Sequence, residues 1–144
     1  MAAGLGPEPL GRFSADDLLR IFEHVRAPIK AVLLDQRRLA GVGNIYASEA
    51  LFRASIDPRR PAGSLTSEET RRLHRSVRRV LREALRSAGT TLRDYRAVSG
   101  ASGQYQNRLR VYGREGEACP RCRKPIRRIV QAGRSSFLCS GCQN

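Results

Sequence analysis

Apolar positions along this chain fall into blocks of helical spacing, cut apart by glycine and proline. Leu18, Leu19, Ile21, Phe22 and Val25 follow Ser14 and Asp17, which form a capping box with Asp in the usual Glu position; together they predict a helix from about Ala15 to Arg26. Pro28 suits the first position of a second helix, in which Ile29, Val32 and Leu33 make an apolar stripe and Lys30 lies off it. A third helix is predicted from Asn44 to about Ala54, with Ile45, Leu51 and Phe52 apolar, stopped before Asp57-Pro58. The stretch from Arg59 to Ser64 reads as a loop. Thr66 and Glu69 then announce a long helix carrying Leu73, Val77, Val80, Leu81, Ala84 and Leu85 on one side, which Gly89 should end.

Beyond that helix the pattern weakens. Thr90-Thr91-Leu92 through Tyr95 suggests a short amphipathic turn, and residues 97–108 are small and polar, either a connector or a loop that orders over a bound substrate. Leu109, Val111 and Tyr112 alternate with Arg108 and Arg110, a short strand signal. The resulting division is a lead-in over 1–13, a helical domain over 14–96, the polar segment 97–108 and a small β unit over 109–144.

Charge narrows the partner. With 27 Lys+Arg against 13 Asp+Glu the formal net charge is +14, which favours nucleic acid over acidic metabolites. No apolar run approaches the roughly 20 residues of a spanning helix, so a cytoplasmic protein without membrane attachment is expected. The turn Gly41-Val42-Gly43-Asn44 adds a specific possibility. Two glycines can take positive φ and let the backbone approach a ligand closely, and Asn44 stands where an N-cap is wanted, so the helix start offers free N–H groups to a phosphate. Arg71, Arg72, Arg75, Arg78, Arg79, Arg82 and Arg86 fill most of the polar side of the long helix, as a nucleic-acid face or as an ordinary solvated surface. His24 and His74 stand alone, without metal-spaced partners, and Tyr46 reads as a packing residue.

The last chemistry is in the cysteines. Cys119-Pro120-Arg121-Cys122 and Cys139-Ser140-Gly141-Cys142 are two C-x-x-C pairs with 16 residues between them, within the spacing of a four-cysteine structural zinc site. Four thiolates close a tetrahedron and leave no position for an activated water, so one zinc ion here would build the fold and not perform chemistry. An iron–sulfur cluster and two disulfides are the alternatives.

Taken in order, Gly41-Val42-Gly43-Asn44-Ile45-Tyr46-Ala47-Ser48-Glu49, the capped helix, Gly89-Thr90-Thr91-Leu92-Arg93-Asp94, Val111-Tyr112-Gly113-Arg114 and the four-cysteine finger resemble the C-terminal half of the formamidopyrimidine-DNA glycosylases. The resemblance covers essentially the whole chain. It implies a mainly α fold, a helix–two-turns–helix bundle followed by a four-cysteine zinc-finger β-hairpin, and a role in base excision repair on double-stranded DNA that is damaged or abasic. By matched position, Lys30, Gly43, Asn44, Tyr112 and Arg134 would meet DNA, and the loop with Ser99, Gly100, Ser102, Gly103 and Tyr105 would cover an extruded oxidised purine. Arg134 would also serve the second strand-cleavage step; since a guanidinium is a poor proton donor, charge stabilisation is its expected part.

In that family a proline after the initiator Met is the nucleophile and the neighbouring glutamate the acid. This sequence opens Met1-Ala2-Ala3, and the nitrogens of Pro7 and Pro9 are in peptide bonds. The expectation is a monomeric DNA-binding half of a DNA glycosylase/AP lyase, inactive without a separate N-terminal catalytic half. A self-sufficient module for distorted or abasic DNA is the first alternative, and an RNA-binding zinc ribbon the second.

Overall fold

The computed structural model describes residues 4–88 and 109–144. The predicted turn through Tyr95, the helix stop at Gly89 and the loop residues Ser99, Gly100, Ser102, Gly103 and Tyr105 lie outside the described residues. Four α-helices, α1 (Ala15–Phe22), α2 (Ile29–Leu34), α3 (Asn44–Arg53) and α4 (Ser67–Ala88), precede a hairpin of β1 (Arg127–Gln131) and β2 (Arg134–Leu138). This is the expected mainly helical fold with a small β finger.

Local chemistry explains most boundaries. At the start of α1, the Asp17 amide donates to Ser14 Oγ at 3.1 Å and the Ser14 amide to the Asp17 carboxylate at 2.9 Å, closing the capping box reciprocally. Thr66 and Glu69 do the same ahead of α4. Helix α1 ends at Phe22 and not at Arg26: Glu23 leaves the helical region with ψ 125°, and His24 follows in the left-handed conformation at φ 62°. Pro28 caps α2 in place of opening it, with an extended ψ of 141°. The loop before α4 contains a single 3₁₀ turn, Ala62–Ser64.

The helices share one core. Leu18 and Phe22 of α1, Ile29 and Leu33 of α2, Ala47 and Leu51 of α3, and Leu73, Val77, Val80 and Leu81 of α4 are buried together, with Tyr46 among them as expected. A second cluster sits under the finger and draws in Phe52 from α3 with Val111, Ile126 and Phe137. Tyr112 packs against both, its ring 4.7 Å from that of Phe137 in an edge-on arrangement. The finger is therefore seated on α3. Gln143 Nε2 donates to the Ile56 carbonyl at 2.9 Å, and the Asp57 amide donates to the Asn144 carbonyl at 2.9 Å.

The expected strand at 109–112 does not form. These residues make a turn, because their amides have a closer acceptor than any strand: the carboxylate of Glu49 takes the N–H groups of Arg110, Val111 and Tyr112 at 2.8, 2.9 and 2.9 Å. Glu49 is itself fully buried. A buried carboxylate needs several donors, and three consecutive amides supply them. Replacing Glu49 by Gln removes the charge and turns an NH₂ group toward N–H donors. Glu49→Gln is expected to destabilise the chain by about 2–4 kcal/mol in urea unfolding, and to speed hydrogen exchange at the 110–112 amides before that of α4.

Candidate functional site

Helix α3 opens at Gly43, whose extended backbone (φ −95°, ψ 178°) is the cap, so Asn44 is the first helical residue and not the N-cap. Once helical, its short side chain cannot fold back onto the next amides as an extended cap residue does. It reaches across to the finger, where Nδ2 donates to the Ser135 carbonyl at 2.9 Å. Only Gly41 of the two turn glycines takes positive φ, at 86°.

Lys30 arrives at the same carbonyl from α2. Its ammonium donates to the Ser135 carbonyl at 3.0 Å and to Ser136 Oγ at 2.6 Å, and the residue is 2% exposed. The apolar stripe thus misled about Lys30: the finger covers that side of α2, so the lysine is buried. Burial, and then the nearby charge of Arg134, lower its pKa to about 8. Arg134 opens β2 beside the hairpin turn, where Ala132 and Gly133 both take positive φ, at 49° and 77°, and its side chain is exposed.

Two of the expected contact residues, Lys30 and Asn44, therefore meet at one backbone carbonyl, and a third, Arg134, immediately precedes it in β2, near enough for its charge to act on Lys30. Gly43 is exposed beside them. Its φ is ordinary and an added Cβ would meet nothing within 4 Å, so nothing in the chain's own packing requires glycine there. Close approach by a ligand would. Asn44 Oδ1 is buried without a hydrogen-bond partner. Tyr112 is half-buried between the two clusters, a packing position against Phe137, and no contact with Lys30, Asn44 or Arg134 is seen among the described residues.

The four cysteines come together as expected. All four sulfurs lie within 4.8 Å of one another, with Cys119 to Cys142 at 3.8 Å and Cys122 to Cys139 at 3.3 Å. Zinc–sulfur bonds of ~2.3 Å at tetrahedral angles need sulfurs about 3.8 Å apart, so the set fits one structural zinc ion. The Arg121 amide donates to Cys119 Sγ at 3.4 Å, a contact that favours thiolate.

Comparison with known proteins follows the same division. The family model described as the formamidopyrimidine-DNA glycosylase H2TH domain matches residues 5–96, and the zinc finger found in FPG and IleRS matches 116–144. The chain belongs to the formamidopyrimidine-DNA glycosylase family. It is 53% identical over 146 residues to the formamidopyrimidine-DNA glycosylase of Paracoccus denitrificans, covering 99% of this chain and 52% of that protein. To that of Thermus thermophilus it is 54% identical over 142 residues, covering 96% and 53%. The crystal structure of the MutM (Fpg) protein from Thermus thermophilus superposes with a TM-score of 0.86 at 52% identity, covering 97% of this chain and 54% of that one. A complex of the Lactococcus lactis Fpg with abasic-site DNA superposes at 0.84 with 35% identity, covering 97% and 52%. The chain spans about half the length of these relatives and corresponds to their C-terminal part.

Within this glycosylase-family unit, several supporting residues had no sequence signal of their own. Glu49 stood in the quoted motif, but only its burial makes it an anchor. Ser135 and Ser136 look like ordinary finger residues until Lys30 is seen to rest on them. Arg121, inside a C-x-x-C pair, stacks 4.4 Å over the Phe52 ring and donates to the Phe52 carbonyl at 3.1 Å, closing the C-terminal end of α3. Of the two histidines, His24 is exposed, while His74 Nε2 is 2.6 Å from the Phe13 carbonyl.

The cysteine thiols set a pH dependence. Burial and the neighbouring sulfurs push Cys142 up to about 12 and raise Cys139, whereas at Cys119 burial is outweighed by amide donation from Cys122 and Arg121, which brings it to about 7. Near neutral pH the metal-free finger thus holds protons that zinc must displace. Zinc titration by calorimetry should release protons to buffer at pH 7, and apparent zinc affinity should fall as pH falls.

Proposed function

We propose that this chain is the DNA-gripping part of a formamidopyrimidine-type DNA glycosylase/AP lyase, working in base excision repair on oxidised purines and abasic sites. The observation that carries the reading is the meeting of Lys30 and Asn44 at the Ser135 carbonyl, next in sequence to the exposed Arg134 and beside an exposed glycine at the start of α3. Cationic and amide donors beside a helix N-terminus suit a phosphate. The net charge of +14 supplies the sequence-independent attraction to a duplex. The Lactococcus lactis relative, whose fold this chain shares, is described in complex with abasic-site DNA.

In this reading Asn44 and Lys30 hold phosphates near the lesion, Gly43 lets the backbone come close, and Arg134 neutralises the phosphate beside the damaged nucleotide. Tyr112 supports the group from the seam with the finger. The segment with Ser99, Gly100, Ser102, Gly103 and Tyr105 covers the extruded base. The nucleophile belongs to the part of these relatives that the chain does not span, and the unit acts as a monomer in the cytoplasm; among the described residues no helix is long and apolar enough to cross a membrane.

Duplex binding by gel shift, with borohydride trapping on abasic DNA in parallel, tests this reading. Binding without a covalent adduct is expected; an adduct would place an amine nucleophile in this chain and overturn the assignment. Gly43→Ala should leave the fold intact, since its Cβ points into open space, yet weaken duplex binding about tenfold by obstructing the phosphate. Asn44→Ala should weaken duplex binding with little change in its salt slope, because a neutral amide releases no counterion, whereas Arg134→Ala should reduce that slope by up to about one unit. The ammonium of Lys30 binds phosphate only while protonated, and its pKa lies near 8. Duplex affinity should accordingly decline as pH rises through about 8, and Lys30→Met should flatten that profile.

A further inference from the structure

The opposite end of α3, about 14 Å from Gly43 along the helix axis, holds a second concentration of charge that the proposed phosphate contacts do not use. Arg72, Arg75, Ser76 and Arg79 lie on one stripe of α4 and face Arg53 of α3, Arg110 and Arg121 across a cavity of roughly 330 Å³. Six guanidiniums line it. Among the described residues the carboxylate paired with them is that of Glu83, 2.7 Å from Arg53 and 3.7 Å from Arg79. Glu49 lies nearby, with its oxygens occupied by three amides.

Two of the six have some of their donors taken up by backbone carbonyls. Arg72 donates to the Ala54 carbonyl at 3.2 Å, and Arg121 to the carbonyls of Phe52 and Arg53. Arg75 and Arg110 have no carboxylate within ion-pair distance among the described residues. The side chain of Arg53 is only 9% exposed, and its Nε is buried without any hydrogen-bond partner. An orphaned guanidinium N–H at such a depth is expensive, and guanidiniums cannot lose their charge to relieve the crowding. Burial and the charge of Arg53 also depress the pKa of Arg110. An anion in the cavity would satisfy the free donors and offset the like-charge repulsion together.

We propose that the arginine-lined cavity between α3, α4 and the finger is a second anion site that takes a phosphate group. Planar forks match phosphate oxygens in pairs, and several arginines converging on one small polar cavity favour a compact, highly charged anion over an extended carboxylate ligand. The phosphate comes either from free inorganic phosphate or from a second stretch of nucleic-acid backbone. This site is separate from the Lys30, Asn44 and Arg134 group and does not depend on the reading given to that group.

Arg75 is exposed on the outer rim, so reversing its charge should leave the fold intact. The zinc-loaded full chain is heated in inorganic phosphate and in chloride of equal ionic strength, as wild type, Arg75→Glu and Asn44→Ala. Circular dichroism of each variant without phosphate checks its fold. Phosphate is expected to raise the wild-type melting temperature above the chloride control, with the concentration needed increasing about tenfold or more in Arg75→Glu; Asn44→Ala measures the share of the response that belongs to the Lys30, Asn44 and Arg134 group, and the cavity's share should persist in it. A second arm measures the number of short duplexes bound at low salt by sedimentation. Two duplexes per chain, falling to one in Arg75→Glu, assign the site to nucleic-acid backbone; one duplex in both, with the phosphate response retained, assigns it to free phosphate. A phosphate response equal to that of chloride, or identical in wild type and Arg75→Glu, overturns the proposal.

Discussion

The carboxylate of Glu49, buried inside α3 and holding three successive backbone amides, is the constraint on which the rest of this chain depends. Ionised hydrogen bonds of this kind are individually about twice as strong as neutral ones, and they fix direction as well as distance. By binding residues 110–112, Glu49 sets where the chain enters the finger. Val111 is thereby placed in the cluster with Phe52, and Tyr112 against Phe137. A strand at 109–112 would have aimed these side chains alternately to two faces; a turn gathered round one acceptor aims both into the seam.

Helix α3 consequently works as a beam with two differently finished ends. Its N-terminal end is left open at Gly43, beside the exposed Arg134. Its C-terminal end is closed by the Arg121 guanidinium, which meets the last carbonyls and the Phe52 ring at once. Both finishing groups, the Ser135 carbonyl at one end and Arg121 at the other, come from the finger. The finger therefore orients the helix that carries the exposed site as well as covering it.

Local chemistry is legible in the sequence and long-range chemistry is not. Ser14 with Asp17 and Thr66 with Glu69 declare helix starts because their partners lie three residues away. Cys119, Cys122, Cys139 and Cys142 declare a metal centre because coordination geometry restricts spacing. Lys30 misleads because its stripe is drawn for a helix facing one core, whereas the finger supplies a second wall with Ser135 and Ser136, more than a hundred residues on. Asn44 misleads for the same reason: the acceptor that wins its amide is distant in the chain. The seven arginines of α4 look alike in sequence, yet the fold separates them, with Arg78 turned to the carbonyls of Pro9 and Gly11 and Arg72, Arg75 and Arg79 to the cavity.

Resting helix-borne donors on a metal-held hairpin makes their alignment answer to redox chemistry. No cysteine touches the group formed by Lys30, Asn44 and Arg134, yet the carbonyl that orients two of them sits four residues before Cys139. Cys122 is the exposed member of the tetrad. Thiolate oxidation there would eject the metal, release the hairpin and let Ser135 drift from both donors. An oxidant could thus blunt the site with every residue in it chemically intact.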